Sequence, residues 1–486
     1  MVQTIVEVEE MNLKYSGGTQ LFHNLSLSVQ QGEKVLIIGP SGCGKSTLIQ
    51  VLSGLIPDVL EVPMIAKSHL SSKSWGYVFQ DPETQFCMPF VDEELAFVLE
   101  NLAVPKVEME ERIVELLELV GLQSLAPHTK ISQLSGGMKQ RLAIASVLAM
   151  DPEVLFLDEP TALLDPDGTM DVWDTIKKVG EDKTVIIVEH KVNQLLDFVG
   201  RIIVMDNSGQ IVADGPTTTI FQNSISLLKD YGVWYPDAWH DYLQSKNPLD
   251  YSLDNNETVM NMEEFIGYRG NQQKIYVPKA NIRKGEWITI VGENGAGKST
   301  LLEAMMKLLK TEGKLFLEGS SVKNVPTTHI TYVFQNPEYQ FITKSVEEEI
   351  GYTIMKQNVS DFKVRKRVEE LLLLFNLERV RHQHPYQLST GQKRRLSVAA
   401  AVVDRPKILL LDEPTYGQDS KNTFAMLEWL EQLKIAGVAI IMVTHDQQIV
   451  SEFADTVWTI KEGTLVDRKT NEKSNSRSKH HAMGAI

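Results

Sequence analysis

The sequence predicts an α/β fold that occurs twice along the chain. A glycine-rich loop of the form Gly-x-x-x-x-Gly-Lys-Ser occupies residues 39–46 and returns at residues 292–299. Each copy follows a short apolar stretch typical of a strand and precedes a helical pattern, which is the context in which such a loop binds phosphate. Other motifs repeat at nearly the same spacing, and a repeat that continues over half of a chain indicates a duplicated domain.

The central strands of each half are predicted from continuous apolar runs. They occupy residues 154–157 and 185–188 in the first half, and residues 408–411 and 439–443 in the second. Runs without polar alternation are typical of a parallel sheet that is covered on both faces. Helices with one apolar face are predicted by two sets of residues: Ile113, Leu116, Leu117 and Val120, and Val364, Val368, Leu371, Leu372 and Phe375.

Changes in composition along the chain predict the domain boundaries. We expect a first domain at residues 1–245, a polar linker at residues 246–258 and a second domain at residues 259–469. The tail at residues 470–486 is polar and is expected to be disordered. The aromatic stretch at residues 231–242 either binds a partner or packs at the end of the first domain, and the composition favours packing.

Overall composition excludes several classes of protein. The formal charge of −16 argues against nucleic-acid binding, because phosphate contacts need clustered Lys and Arg. No apolar run approaches the roughly eighteen residues of a membrane-spanning helix. The cysteines, Cys43 and Cys87, have no metal-binding spacing, which fits a reducing compartment. We therefore expect a soluble intracellular protein that is able to dock on a membrane protein.

The two glycine-rich loops are predicted to hold a nucleotide. Backbone N–H groups at the start of a helix bind phosphate, and glycines let the backbone approach it closely. We expect Lys45 and Lys298 to reach the β- and γ-phosphates, and Ser46 and Ser299 to ligate Mg²⁺. The residues expected to bind the nucleotide here are Gly39, Pro40, Ser41, Gly42, Cys43, Gly44, Lys45, Ser46 and Thr47 in the first half, and Gly292, Glu293, Asn294, Gly295, Ala296, Gly297, Lys298, Ser299 and Thr300 in the second.

An Asp-Glu pair follows one apolar run in each half. Asp158 and Asp412 are expected to hold Mg²⁺ beside the phosphate loop. Glu159 and Glu413, the next residues, are expected to act as general bases that polarise the attacking water. The sequence thus predicts two sites for nucleotide hydrolysis.

A further motif lies between the loop and the carboxylates in each half. It reads Leu-Ser-Gly-Gly at residues 134–137 and Leu-Ser-Thr-Gly at residues 388–391. With it, the chain resembles an ABC-type ATPase with two fused nucleotide-binding domains, and the resemblance covers nearly the whole chain. It implies two tandem P-loop domains in the α/β class. Each would have a RecA-like parallel-sheet core, an antiparallel β subdomain and a helical signature subdomain.

The resemblance implies roles for further residues of both halves. Gln80 and Gln335 match the Q-loop glutamine, which takes part in catalysis and in Mg²⁺ binding. His190 and His445 match the catalytic histidine that follows a later strand, and Asp165 and Asp419 match the aspartate that follows the carboxylates. Tyr15 and Tyr268 lie equally far before their phosphate loops, a position that suits stacking on adenine.

In this family, the signature motif of one half completes the ATP site of the other. By resemblance, Ser389 and Gly391 would serve the first phosphate loop, and Ser135 and Gly137 the second, so that ATP joins the two halves and hydrolysis releases them. Thr390 departs from the family's glycine. If that position needs a glycine-only backbone, the first site would close less well. We therefore expect two competent sites with modest asymmetry.

The residues around the two glutamines narrow the family further. Residues 78–86 and 333–341, here called the Q-loop segments, share the pattern Val-Phe-Gln-x-Pro-Glu-x-Gln-Phe. This pattern is similar to the ATPases of energy-coupling factor importers for vitamins and transition-metal ions, and fused versions resemble importers of hydroxymethylpyrimidine or thiamine. The implied partners are a transmembrane T-component and a membrane-embedded substrate-binding protein, with the ATPase peripheral on the cytoplasmic side of the cell membrane. The acidic residues at 92–94 and 347–349 either pair with arginines of the T-component or form a solvated helix face.

Two other functions stay open. A sugar-type tandem importer ATPase often has a damaged second site, whereas Glu413 and His445 are intact here. A tandem ABC protein that acts on ribosomes would need a long basic linker, whereas residues 246–258 are short and polar.

Overall fold

Two compact units make up the described chain. The computed structural model describes residues 3–15, 20–126, 128–162, 164–246, 257–322, 329–356 and 359–471. One unit comprises the described residues up to Asp241 together with Gly417–Lys421, and the other comprises Tyr242–Tyr416 together with the described residues from Asn422 onward. The domain boundaries stay a prediction, and residues 247–256 of the expected linker and 472–486 of the expected tail lie outside the described residues.

Up to Ser245 the chain alternates between strands and helices. The strands are β1 (Thr4–Lys14), β2 (Gln20–Gln30), β3 (Lys34–Ile38), β4 (Met64–Ile65), β5 (Ser68–Leu70), β6 (Trp75–Val78), β7 (Val154–Asp158), β8 (Thr184–Val188), β9 (Arg201–Met205) and β10 (Ile211–Pro216). The helices are α1 (Lys45–Ser53), α2 (Leu55–Asp58), α3 (Val91–Asn101), α4 (Lys106–Leu119), α5 (Gly136–Leu148), α6 (Pro166–Val179), α7 (Thr217–Asn223), α8 (Ile225–Asp230) and α9 (Ala238–Ser245).

A mostly parallel sheet forms the centre of the first unit. Its strand order is β10-β9-β3-β8-β7-β6, and only the pairing of β10 with β9 is antiparallel among these strands. All residues of β7 and β8 are buried, as expected for apolar runs covered on both faces. A separate antiparallel sheet contains β2, β1 and β4, with β5 also paired to β1.

The chain from Thr258 onward repeats this pattern. Its strands are β11 (Thr258–Arg269), β12 (Gln272–Arg283), β13 (Trp287–Val291), β14 (Lys310–Leu317), β15 (Ser320–Ser321), β16 (Ile330–Val333), β17 (Ile408–Asp412), β18 (Ala439–Val443), β19 (Thr456–Lys461) and β20 (Thr464–Thr470). Its helices are α10 (Lys298–Met305), α11 (Val346–Met355), α12 (Asp361–Leu374), α13 (Thr390–Val402), α14 (Ser420–Ile435) and α15 (Gln447–Phe453).

The second unit has the same parallel core. Strands β19, β13, β18, β17 and β16 are adjacent in this order and pair in parallel, as β9, β3, β8, β7 and β6 do. Here the antiparallel strands join the core, because β12 pairs with β20 at Tyr276 and Thr464. The predicted α/β class, with a parallel core and antiparallel strands in each half, is confirmed.

The parallel core places the predicted site residues at one edge of each sheet. The carboxyl ends of parallel strands meet at the same edge, which is where ligands bind in open α/β sheets. In the first unit the phosphate loop follows β3, Asp158 ends β7, and His190 follows β8. In the second unit β13, β17 and β18 have the same relation to the loop, Asp412 and His445.

The structure has helices at both predicted positions, α4 and α12, and apolar residues named for each are buried. Leu116 on α4 and Val120 directly after it are buried, as are Val364 and Leu371 on α12. In the aromatic stretch Trp234, Tyr235 and Tyr242 are buried, and the Trp234 indole donates a hydrogen bond of 2.9 Å to the carbonyl of Gln418 in the same unit. The burial favours a packing element over a partner surface.

Strand β6 and helix α5 approach each other so closely at Gly76 that we expect a Gly76→Ala variant to be less stable. A Cβ atom there would lie 2.1 Å from Cγ1 of Val147, a buried residue of α5. Overpacking of this kind costs about 1–3 kcal/mol, measurable as a lower free energy of unfolding in urea. Gly200→Ala is the matched control, since no atom lies within 4 Å of its added Cβ. Equal stability of the two variants would contradict this packing.

Candidate nucleotide-binding sites

Each predicted phosphate loop is closed by its own lysine. The Lys45 ammonium is buried and donates to the carbonyls of Gly39 and Pro40, both at 3.0 Å. Lys298 makes the same contacts with Gly292 at 2.8 Å and Glu293 at 2.9 Å. The lysine therefore closes the loop in the same way in both halves.

The last loop glycine starts the following helix in a conformation that favours glycine. Gly44 and Gly297 precede α1 and α10 with φ angles of 101° and 104°. A Cβ atom on Gly44 would lie 3.0 Å from the ring of Phe22. Both the backbone angle and the lack of space therefore explain why the predicted motif needs glycine at this position.

In the first half, the predicted magnesium ligands Ser46 and Asp158 lie together. The Ser46 hydroxyl donates to one oxygen of Asp158 at 2.8 Å, and Tyr77, which was not predicted, donates to the other at 3.0 Å. Burial, with Glu159 as the next cause, raises the pKa of Asp158 to about 6. A divalent cation would offset this desolvated negative charge, and hydroxyl and carboxylate oxygens are ligands that Mg²⁺ accepts.

The second half repeats the arrangement around Asp412. Ser299 forms a hydrogen bond with Asp412, and Tyr332 donates to the second oxygen at 3.1 Å. Burial raises the pKa of Asp412 as well. No cluster of three His, Cys, Asp or Glu residues that could hold a metal occurs in the described residues, so an ion here would also depend on hydroxyl, amide and phosphate oxygens.

Glu159 lies between the two side chains that the family resemblance assigned to its site. Gln80 donates to one carboxylate oxygen at 3.0 Å, and Nε2 of His190 lies 3.0 Å from the other. Burial favours a higher pKa for Glu159, but His190 and Lys45 outweigh it and hold that pKa below its usual range. The backbone of Glu159 has φ of 45°, which turns the side chain out of the strand line. The group is an ionised, oriented carboxylate, as a general base requires.

Glu413 occupies the same position at a longer distance from its histidine. Its φ is 50°, and Nε2 of His445 lies 3.6 Å from its carboxylate. A cavity of about 470 Å³ opens at this edge. Its lining residues are Arg269, Lys274, Asn294, Gly295, Gly297, Lys298, Ser299, Thr300, Gln335, Asp412, Glu413, Val443 and His445.

The two tyrosines proposed for adenine differ in their surroundings. The Tyr15 hydroxyl forms a hydrogen bond of 3.0 Å with Thr47, so its partly exposed ring lies beside the first phosphate loop. The Tyr268 hydroxyl donates to Glu312 at 3.0 Å. Among the described residues, the lining of the cavity includes its neighbour Arg269 but not Tyr268.

The signature serines cap the helices that follow them. Ser135 accepts a hydrogen bond from Met138 N–H at the start of α5, and Ser389 forms a capping box with Gln392 at the start of α13. Helix α13 begins at Thr390, as α5 begins at Gly136, and Gly136 does not have a positive φ. The expected asymmetry assumed that this position of the signature motif needs a backbone conformation that only glycine adopts. In the first half, Gly136 does not have such a conformation. At Gly137, in contrast, an added Cβ would lie 3.1 Å from Cα of Gly168.

The Q-loop segments are fixed to the signature helices α5 and α13. Gln85 donates to the carbonyl of Ala143 at 3.2 Å, and Gln340 donates to that of Ser397 at 2.9 Å. The preceding glutamates form ion pairs with helix lysines, Glu83 with Lys139 and Glu338 with Lys393. The spacing of Glu and Gln that the two segments share therefore serves attachment to a helix.

The acidic residues after these segments fit neither predicted alternative completely. Glu94 is buried and accepts hydrogen bonds from Cys87 and Met88 N–H groups at 2.9 and 2.8 Å, and Glu349 caps its own segment in the same way. Glu347 pairs with Arg381 of this chain at 3.0 Å. Glu94 and Glu349 therefore stabilise the fold, and their burial leaves them out of reach of a partner.

Two buried polar residues near the sites were not predicted. Arg394 on α13 donates to the carbonyl of Phe334 at 2.9 Å, and burial lowers its pKa to about 10 although Asp412 and Glu413 favour its charge. Gln140 makes the equivalent bond to Phe79 at 3.2 Å in the first half. The other residue, Glu189, directly precedes His190. The sequence signal for Glu189 is a charged residue directly after an apolar run, whereas Arg394 stands between Lys393 and Arg395 and has no such signal.

The comparisons with known proteins agree with this geometry. A family model described as ABC transporter matches residues 22–162 and 278–416. A protein of Bacillus subtilis (strain 168), provisionally named HMP/thiamine import ATP-binding protein YkoD, is 35% identical over 95% of this chain and 90% of its own length. A protein of Methanosarcina mazei, provisionally named ABC transporter ATP-binding protein, is 32% identical over 99% of this chain and 92% of its own length.

A solved structure shows the same fold over nearly the whole chain. An archaeal ribosome recycling factor, solved in complex with a ribosomal stalk protein, covers 97% of this chain and 92% of its own, with 22% identity and a TM-score of 0.60. At this identity the likeness concerns the fold alone. Within the described residues, no helix combines the length and apolarity needed to cross a membrane.

The expected resemblance is thus confirmed by a family model in both halves and by relatives that match almost the entire chain. The chain belongs to the ABC transporter family, whose members bind and hydrolyse ATP to power transport, and it carries the family's ATPase domain twice.

Proposed function

We propose that this chain is the energy-coupling subunit of an energy-coupling factor importer, in which ATP hydrolysis drives uptake of a vitamin or vitamin precursor. The observation that carries the proposal is the attachment of each Q-loop segment to the signature helix by one glutamine and one ion pair. The relative named for HMP/thiamine import supports the class of cargo. A transmembrane T-component and a membrane-embedded substrate-binding protein would be the partners, with the ATPase peripheral on the cytoplasmic side.

The second Q-loop segment offers a surface for such a partner. Tyr339 and Ile342 are 77% and 63% exposed, although their neighbours Gln340 and Glu338 are bonded to α13. Large apolar side chains on a fixed backbone are suited to receive a helix of a membrane protein. A displacement of this surface would move the signature helix with it.

The residues of each half have defined roles in hydrolysis under this proposal. Lys45 and the N–H groups of its loop bind the phosphates, and Glu159 accepts a proton from the attacking water while Gln80 and His190 orient it. Mg²⁺ would be held by Ser46, Asp158 and Gln80, and by Ser299, Asp412 and Gln335, and would offset phosphate charge. The helix starts at Ser135, Gly137, Ser389 and Gly391 would each face the γ-phosphate bound by the other half.

The alternatives have less support. A sugar-type importer ATPase would share the same ATP chemistry, so it differs from this proposal only in its membrane partners. The recycling-factor likeness concerns the fold and not an action on ribosomes. The acidic charge of −16 also disfavours contact with RNA.

We expect Glu159→Gln and Glu413→Gln each to slow ATP hydrolysis at its own site by about 100-fold or more, because each removes a general base. Each single variant should therefore lose about half or more of the turnover of the complex, and the double variant nearly all of it. ATP affinity should persist, since glutamine keeps the size and polarity of the side chain. Turnover of the assembled complex and titration with a fluorescent ATP analogue measure the two effects. Glu153→Gln, at an exposed position before β7, is the control. Normal turnover in either single variant would show that half to be non-catalytic.

Thr390→Gly and the converse Gly136→Thr are expected to change turnover by no more than about twofold. Both positions start a helix with ordinary backbone angles, where these residues differ by a few tenths of a kcal/mol. Turnover of the complex measures the effect, with Ser389→Ala, which removes the helix cap, as a positive control. A several-fold increase in Thr390→Gly would show that the threonine side chain obstructs the first site.

Integral membrane proteins should co-purify with the tagged full chain from detergent-solubilised membranes. Tyr339→Asp with Ile342→Asp should abolish this association without weakening ATP binding, because a carboxylate is costly to bury in an apolar contact. Val466→Asp is the control at another exposed apolar position. Recovery of ribosomes in place of membrane proteins would overturn the importer proposal.

A further inference from the structure

Glu189 is a buried acid at the edge of the first site that has no role in the scheme above. It is 4% exposed and directly precedes His190. One carboxylate oxygen accepts a hydrogen bond of 2.9 Å from the His190 N–H, and the other accepts one from the Thr161 hydroxyl. One bond thus reaches the backbone of the segment that carries His190, and the other reaches a side chain of the segment that carries Glu159.

These bonds close a ring of contacts around the general base. Thr161 lies two residues after Glu159, and its side chain is bonded to Glu189. Glu189 is bonded to the backbone of His190, and the His190 ring returns to Glu159 at 3.0 Å. The turn after β7 and the start of the loop after β8 are therefore joined at two points.

In the second half, a threonine occupies the position that corresponds to Glu189. Thr444 precedes His445, is buried, and accepts a hydrogen bond of 3.1 Å from the N–H of Asp446. That bond stays within its own loop. The looser distance of 3.6 Å between His445 and Glu413 accompanies this difference.

We infer that Glu189 is a positioning residue for hydrolysis in the first half, which holds the His190 loop against the turn that follows Glu159. The inference rests on the roles proposed above for Glu159 and His190. The hydrogen bonds of the Glu189 carboxylate go to Thr161 and His190, and not to the phosphate loop or to the residues proposed for Mg²⁺. Its removal should therefore lower the turnover number and leave the KM for ATP nearly unchanged.

The acid also makes the first half respond to pH. The charged groups that face Glu189 are Glu159 and His190, and burial together with the charge of Glu159 raises the pKa of Glu189 to about 7. Above this pH the ionised carboxylate accepts both hydrogen bonds, and its charge makes Glu159 a stronger base, since the interaction of two titrating groups is reciprocal. Turnover of the native protein relative to Glu189→Gln, which cannot ionise, should thus rise as the pH increases through about 7.

The test compares Glu189→Leu and Glu189→Gln with the native full chain in its assembled complex. We expect Glu189→Leu to slow hydrolysis at the first site about tenfold, in the range of a positioning effect, so that the complex loses about half or more of its turnover with KM unchanged. Glu189→Gln should keep most of the activity near pH 6 but lack the rise with pH. Thr444→Val is the matched change in the second half, and its pH profile should have the native shape.

Two results would overturn the inference: native turnover in Glu189→Leu, or the same pH dependence in Glu189→Gln as in the native protein. If Glu189→Leu does not fold, as judged by circular dichroism, the pH comparison with glutamine decides. Glu159→Gln belongs in the same series. If it retains turnover, the proposed site itself is wrong, whereas its loss beside a native-like Glu189 series would refute only the positioning role.

Discussion

Both sites depend on a carboxylate that a buried strand carries to the edge of its sheet. Asp158 and Asp412 each end a strand whose residues are all buried, so each loses water and its pKa rises. A hydroxyl from the phosphate loop and a tyrosine from the neighbouring strand supply hydrogen bonds in exchange. Such partial compensation stabilises the fold and leaves an unbalanced negative charge where a cation would bind. The serine of the phosphate loop and the buried aspartate are therefore bonded to each other even without a nucleotide.

The sequence predicted the parts of the fold that local pattern determines. Apolar runs, the glycine loop and the Asp-Glu pair have fixed spacing along the chain, so β3, α1 and β7 and their repeats were found in the right order. Contacts between distant segments were not predictable in the same way. Nothing next to Tyr77 in the sequence indicates that its hydroxyl donates to Asp158 on the neighbouring strand. The bond from Gln85 to α5 likewise depends on where that helix packs.

Gly136 and Thr390 occupy the same position of the signature motif, and the backbone angle there could not be predicted from the residue type. A glycine that a motif prefers suggests a positive φ, yet Gly136 has none, while Gly137 is limited by a neighbouring backbone atom. The differences between the halves lie instead in buried side chains. Arg394 stands where the first half has Gln140, and Thr444 stands where it has Glu189. Each replacement changes the charge close to a general base, so the duplicated domains are not electrostatic copies.

The bonds from Gln85 and Gln340 to the helices have a thermodynamic consequence. Because each Q-loop segment and its helix are joined, a membrane protein that shifted the segment under the proposed function would also change the free energy of ATP binding at the site that the helix serves. Linkage makes this effect mutual: the factor by which such a protein alters ATP affinity equals the factor by which ATP alters its own affinity. In an importer built on this chain, the bound nucleotide would thus change the affinity for the membrane partner. A cargo-loaded partner would in turn change the affinity for ATP.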